Sequence, residues 1–316
     1  MVIGNRAKGI GCIVASAFGF ALMAMFVRLC DDFGPAVSSF QKSFFRNVIA
    51  VVLAAGVFVR SARAAAGGPW RIVPVLSDRG AWTALVLRSL LGTVGIFANF
   101  YAIGKIPIGE AMTLNKTAPF FTVLFAGLFL SERVTRRQVL ALVVAFAGTV
   151  LVMKPGLPGW SAGGGAIPPA VWGLASGMCA GGAYACVRQL ALLRVNGAFI
   201  VLFFSAFSCL AAVPFMVRRF DPMTSAQVLT LLGAGAGAAI GQFGITSAYR
   251  YAAPGSIAVF DYVNIVFTGA FGYFLFGQVP DLLGVGGFAL ILLAVIGLSS
   301  SRTSAVWLKR KIGQRD

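Results

Sequence analysis

The sequence predicts an all-α membrane protein of ten transmembrane helices, arranged as two inverted five-helix repeats. Three observations carry that expectation. The 316 residues are 59% hydrophobic and 11% charged, with a mean hydropathy of +0.88, and a water-soluble fold of this size has no interior large enough for so much apolar surface. Apolar runs of about 20 residues recur along the chain, each long enough at about 1.5 Å per residue to cross a hydrocarbon layer of about 30 Å. Near the middle, Lys154 to Pro169 reads KPGLPGWSAGGGAIPP, a Gly/Pro-rich break with five apolar runs on either side.

The elements follow in order. The first run, 9–28, has Arg6 and Lys8 before it but no small-residue cleavage site after it, so it is read as a retained helix rather than a signal peptide. The second, 37–59, opens on SFQKSFFRN; the third spans 82–103 and the fourth 108–130, with Pro119 inside it. The basic turn SERVTRR leads into the fifth, 138–153. Residues 1–156 form the first repeat, 157–169 the linker, 170–300 the second repeat and 301–316 a basic tail. The second repeat holds runs at 170–190, 197–217, 227–249, 255–277 and 283–300. Gly173, Gly177 and Gly181, and again Gly233, Gly237 and Gly241, stand four apart on one helix face and predict close backbone packing.

A shift of 146 residues lays AMTLNKTAPFFTVLFAGLFLSE over IAVFDYVNIVFTGAFGYFLFGQ, with Gly109 on Gly255, Asn115 on Asp261 and Lys116 on Tyr262. Five is an odd number of crossings, so the second repeat enters the bilayer upside down relative to the first.

A net charge of +17 suggests a nucleic-acid partner until the positive residues are located. With a cytoplasmic N-terminus, the inner segments hold Arg60 and Arg63, Arg133, Arg136 and Arg137, Arg188 and Arg194, and the tail from Arg302 to Arg315. The outer ones hold only Arg28, Lys105, Lys154, Arg218 and Arg219. That asymmetry is the positive-inside pattern, with both termini cytoplasmic; no nucleic-acid partner is expected. Cys12, Cys30, Cys179, Cys186 and Cys209 lie in or at the ends of spans, without the spacing of a metal or disulfide framework. Histidine is absent, which removes His-based acid–base catalysis, zinc HExxH sites and Ser-His triads, and no GxxxxGK[ST] loop is present. An enzyme and a primary pump are therefore not expected, nor a cofactor or metal; a channel fits poorly for want of a repeated filter motif.

Residues 84–156, with LR-x-LLG opening the third helix, an internal Pro in the fourth, and an LSER turn before a fifth helix ending MKPG, resemble the EamA family of the drug/metabolite transporter superfamily; FFR in 39–47 is similar to that family's second helix. The second repeat departs from the pattern, with Gln278 where the turn Glu is expected and Ile265 in place of Pro119. The resemblance implies a ten-helix bundle in a bacterial inner membrane, with a central cavity between the halves. It implies a secondary transporter for a small polar metabolite.

The charges inside the spans supply the candidate site. Lys42 and Arg46 share one face of the second helix, Arg88 lies early in the third, where it could snorkel to the cytoplasmic interface, and Lys116 lies in the fourth. Charge at bilayer depth is costly, so each needs a partner or an aqueous cavity. Asp261 is the acid well inside a span; equivalent positions of inverted repeats meet near their axis, so Lys116 and Asp261 are expected to approach each other. Lys116, Asp261, Tyr262, Lys42, Arg46, Asn99 and Asn264 are the expected substrate ligands, with Asp261 also a proton-coupling candidate. Arg88 and Pro119 are expected to be structural or gating residues. Four cations against one acid favour a substrate bearing a carboxylate or phosphate, either an organic anion or an amino-acid-like zwitterion; export of a drug-like cation is the alternative, and an intramembrane enzyme the rival from another class.

Overall fold

A computed structural model describes residues 2–35, 37–64, 78–103, 105, 112, 114–153, 169–218, 220–277 and 279–312. Those residues form ten helical segments and no strand: α1 (Val2–Asp32), α2 (Ser39–Ala64), α3 (Arg79–Ile103), α4 (Ala118–Leu130), α5 (Arg136–Met153), α6 (Pro169–Leu192), α7 (Gly197–Arg218), α8 (Ser225–Tyr251), α9 (Pro254–Phe276) and α10 (Leu282–Ile312). Seven of them are long and apolar enough to cross a bilayer: α1, α2, α3, α6, α7, α8 and α9. The expectation of ten full crossings is thus met in part. The linker 157–168, Gly109 and Gln278 lie outside the described residues.

The fourth span differs most from expectation. A turn at Lys116 and Thr117 interrupts it, with the Thr117 hydroxyl donating to the Leu114 carbonyl at 2.6 Å, so α4 starts at Ala118 and covers about 20 Å. Pro119 falls in the first turn of α4, where its missing N–H would have had no helical acceptor in any case. It therefore opens a helix. α9 is interrupted in the same place: Pro254–Ile257 forms one α turn, Ala258–Tyr262 is 3-10, and the regular helix runs Val263–Phe276. Both helices end on a left-handed residue, Ser131 at φ 53° and Gly277 at φ 61°, again 146 positions apart. The conformation costs Gly277 nothing, whereas Ser131 adopts it with a Cβ.

Helix neighbours come in matched sets. α1 packs on α8 as α6 packs on α3, α4 on α6 as α9 on α1, and α2 on α8 as α7 on α3; α2 meets α7, and α5 meets α10. Glycines set the closest crossings. A Cβ at Gly237 would lie 2.9 Å from the Gly19 carbonyl oxygen of α1, and one at Gly181 would lie 2.8 Å from the Ala118 carbonyl oxygen of α4. The outward surface is apolar, with Phe129, Val217, Phe274 and Leu282 exposed, as a lipid-facing wall requires.

Candidate functional site

The two helix breaks face each other. Lys116 Nζ lies 3.7 Å from Asp261 Oδ2, and both side chains are largely buried. The fully buried Tyr262 donates its hydroxyl hydrogen to the Lys116 carbonyl at 2.9 Å, a carbonyl that the interrupted fourth span leaves available. Residues 116 and 262 are partners under the 146-residue shift, so equivalent positions touch here. A charge-assisted hydrogen bond closes at about 2.7–2.9 Å. At 3.7 Å the lysine and aspartate attract each other without that bond, and each keeps capacity for another partner. Asn115 donates to Ser176 Oγ at 3.0 Å, and Ser176 donates on to the Gly173 carbonyl, which fixes the break against α6.

The other predicted residues are dispersed. Lys42 sits in the first turn of α2 and pairs with Asp31 at the end of α1, so it neutralises a helix-end acid. Asn264 donates to the Ala17 carbonyl at 2.8 Å and ties α9 to α1. The buried Oδ1 of Asn99 has no hydrogen-bond partner among the described residues. Arg88 does not snorkel. It is 1% exposed, donates to Gln242 Oε1 at 2.8 Å and lies over the Phe204 ring at 3.7 Å, because Gly92 one turn later leaves room for the guanidinium to fold across towards α7. Arg46 is 8% exposed and lies within electrostatic reach of Arg88 and of the Tyr184 phenol.

Gln242, Phe204, Ser176 and Tyr184 were not picked out in the sequence. For Tyr184 a signal existed: it follows Gly177 and Gly181 at helical spacing, so it shares the face that packs on α4. A second pair was also missed. Arg188 donates from Nε to Glu132 Oε1 at 2.6 Å and from a terminal nitrogen to the Tyr249 carbonyl at 2.8 Å, locking the end of α4 to α6 and α8. Neither residue was assigned a partner because both fell at predicted span ends, where charge needs none. Glu132→Ala is expected to lower stability by roughly 2–3 kcal/mol, below the full cost of orphaning a buried charge because Arg188 keeps its bond to Tyr249. A fall in the melting temperature of the detergent-solubilised protein checks this.

An apolar groove of about 300 Å³ lies between α4 and α5, bordered by Phe120, Leu124 and Val139. It offers a polar ligand no partner, and the charged cluster is the better candidate site.

Residues 7–154 match the EamA-like transporter family. The pseudopaline exporter of Pseudomonas aeruginosa is 32% identical over 96% of this chain and 99% of its own length. The chain belongs to the EamA family. A riboflavin transporter of Vibrio cholerae is 25% identical over 72% of this chain and 74% of its own. A solved crystal structure superimposes with a TM-score of 0.71 at 19% identity, over 92% of this chain and 98% of that one, and shows the shared fold. As an EamA protein of the drug/metabolite transporter superfamily, the chain is a multi-pass inner-membrane transporter of small metabolites rather than an enzyme.

Proposed function

We propose that this EamA protein is a secondary carrier that binds an amino-acid-like zwitterion between Lys116 and Asp261 and moves it by alternating access between two inverted repeats. The observation that carries the reading is the unclosed charge pair at the facing helix breaks. A substrate carboxylate meets Lys116 while its amine meets Asp261, so each buried charge exchanges a distant partner for a bonded one. The Tyr262 bond to the Lys116 backbone holds the break in register. The matched helix packing, with α1–α8 answering α6–α3, supports the two-repeat arrangement, residues 1–156 and 170–300. The positive-inside distribution supports cytoplasmic termini. The relatives named as a pseudopaline exporter and a riboflavin transporter support a metabolite as cargo.

A thermal-shift screen of the purified, detergent-solubilised protein tests the reading, using amino acids, organic acids, sugar phosphates, nucleotides and lipophilic cations. A bound ligand stabilises the folded protein by mass action, by about 2.7 kcal/mol at a hundred times Kd, and so raises the melting temperature. Amino acids are expected to stabilise the wild type, and Lys116→Ala to lose most of that shift. Stabilisation by lipophilic cations alone, or a shift undiminished in Lys116→Ala, would mean that these charges are structural and not the binding site.

A further inference from the structure

Two more cations stand beyond the Lys116–Asp261 pair, and neither is neutralised. Arg46 on α2 is more than nine-tenths buried, and its buried Nε has no hydrogen-bond partner among the described residues. Arg88 on α3 is held in place by Gln242 and Phe204, which are neutral, and its buried Nε is likewise unpartnered. Arg88 lies within electrostatic reach of Arg46, so like charges sit together in the interior, and among the described residues no carboxylate pairs with either. The groups within their electrostatic reach are the phenol of Tyr184 and the thiols of Cys186 and Cys209, all neutral at physiological pH. Tyr184 is also within electrostatic reach of Asp261, so this phenol lies between the two arginines and that carboxylate in the electrostatic sense.

The position of the arginines is fixed by the backbone. Gly235 of α8 presses on α2 at Arg46, where a Cβ would come within 3.1 Å of the Arg46 carbonyl oxygen. Gly92 gives the Arg88 side chain its path. A buried guanidinium without a counter-charge is costly, and an anion entering the region lowers that cost. A planar fork with free N–H groups matches a carboxylate.

We propose that Arg46 and Arg88 form a second anion subsite of the same carrier, and that the substrate class is an amino compound with two or more carboxylates. This rests on the zwitterion clamp above. One carboxylate and the amine engage Lys116 and Asp261; a further carboxylate reaches past Tyr184 to Arg46, while Arg88, already bonded to Gln242, adds field and its free Nε. Among the described residues, Lys116, Arg46 and Arg88 against Asp261 leave two positive charges; an amino dicarboxylate, which carries one net negative charge, halves that surplus, and a simple zwitterion leaves it unchanged.

The test uses the full-length protein in detergent with matched probes that differ by one carboxylate against carboxamide: aspartate and asparagine, glutamate and glutamine, iminodiacetate and its monoamide. In the wild type, at least one dicarboxylate is expected to bind about tenfold or more tighter than its amide, the effect of one charge-assisted contact. In Arg46→Gln the two members of that pair become equal. Arg46→Lys, which keeps the buried charge and so guards against misfolding, retains a smaller preference because the fork is lost. No preference in any pair, a preference that survives in Arg46→Gln, or the same stabilisation by sodium chloride alone overturns the proposal. Lys116→Ala separates the two readings: it weakens both members of a pair alike if the clamp is correct. An Arg46-dependent preference with no effect of Lys116→Ala would leave the second subsite standing and remove the clamp.

Discussion

Asp261→Asn is expected to reduce transport of amine-bearing substrates by tenfold to a hundredfold while leaving the protein folded. The substitution keeps the shape of the side chain and removes the charge that faces Lys116 at 3.7 Å. A hydrogen bond to a charged group contributes about 1.5–3 kcal/mol, and each 1.4 kcal/mol is a factor of ten in affinity. The same substitution releases Lys116 from its counter-charge, so an organic anion lacking an amine is expected to bind as well or better. Uptake into proteoliposomes, measured side by side for an amino acid and for its deaminated acid, reads both effects. Unchanged amino-acid uptake would remove Asp261 as the amine ligand. If both fall together and uptake also ceases to follow an imposed proton gradient, Asp261 acts as the proton-coupling group instead.

Gly177→Val is expected to be the most damaging of the packing substitutions, lowering stability by about 1–3 kcal/mol or more and abolishing transport. A Cβ at Gly177 would lie 2.7 Å from the Leu114 carbonyl oxygen and 3.1 Å from that of Asn115. Those neighbours are the backbone of the fourth-span break, which cannot rotate away as the end of a flexible side chain can. The clash pushes α4 off α6 and carries Lys116 away from Asp261. Gly56→Ala is the matched control, since a Cβ there meets nothing within 4 Å, and it is expected to be neutral or to add about 0.5–1 kcal/mol from helix propensity. Melting temperatures of the two variants in one detergent check the contrast; equal losses would mean that glycine flexibility matters at α6 rather than close approach.

Legibility of the site divided along physical lines. The approach of Lys116 to Asp261 and Tyr262 was legible because the 146-residue shift is a relation within the chain, and charges inside apolar runs are conspicuous. The Lys116–Tyr262 contact joins two positions that the shift pairs, and the left-handed caps at Ser131 and Gly277 repeat the same interval. Lys42 and Arg88 show where that reasoning weakens. Both look alike in sequence, yet Lys42 is paired with Asp31 at a helix end and Arg88 is buried over Phe204. The difference lies in partners 11 and more than 100 residues away, which periodicity does not reveal. Gln242 and Tyr184, neutral residues on glycine-lined helices, carried no charge signal at all.

The amino-acid sequence by itself determined the solvent, the helical class, the membership of the EamA family and the types of charge available inside the membrane. These follow from composition, run length and motif, which are local properties. Only the tertiary structure decided where the fourth and ninth spans break, which cations are neutralised and which are not. Those outcomes depend on what a neighbouring helix presents: a hydroxyl and backbone at α6, a carboxamide at α8, an aromatic face at α7. A buried charge has no fixed character until its surroundings are set, because attraction and desolvation are of similar size and the partner decides between them.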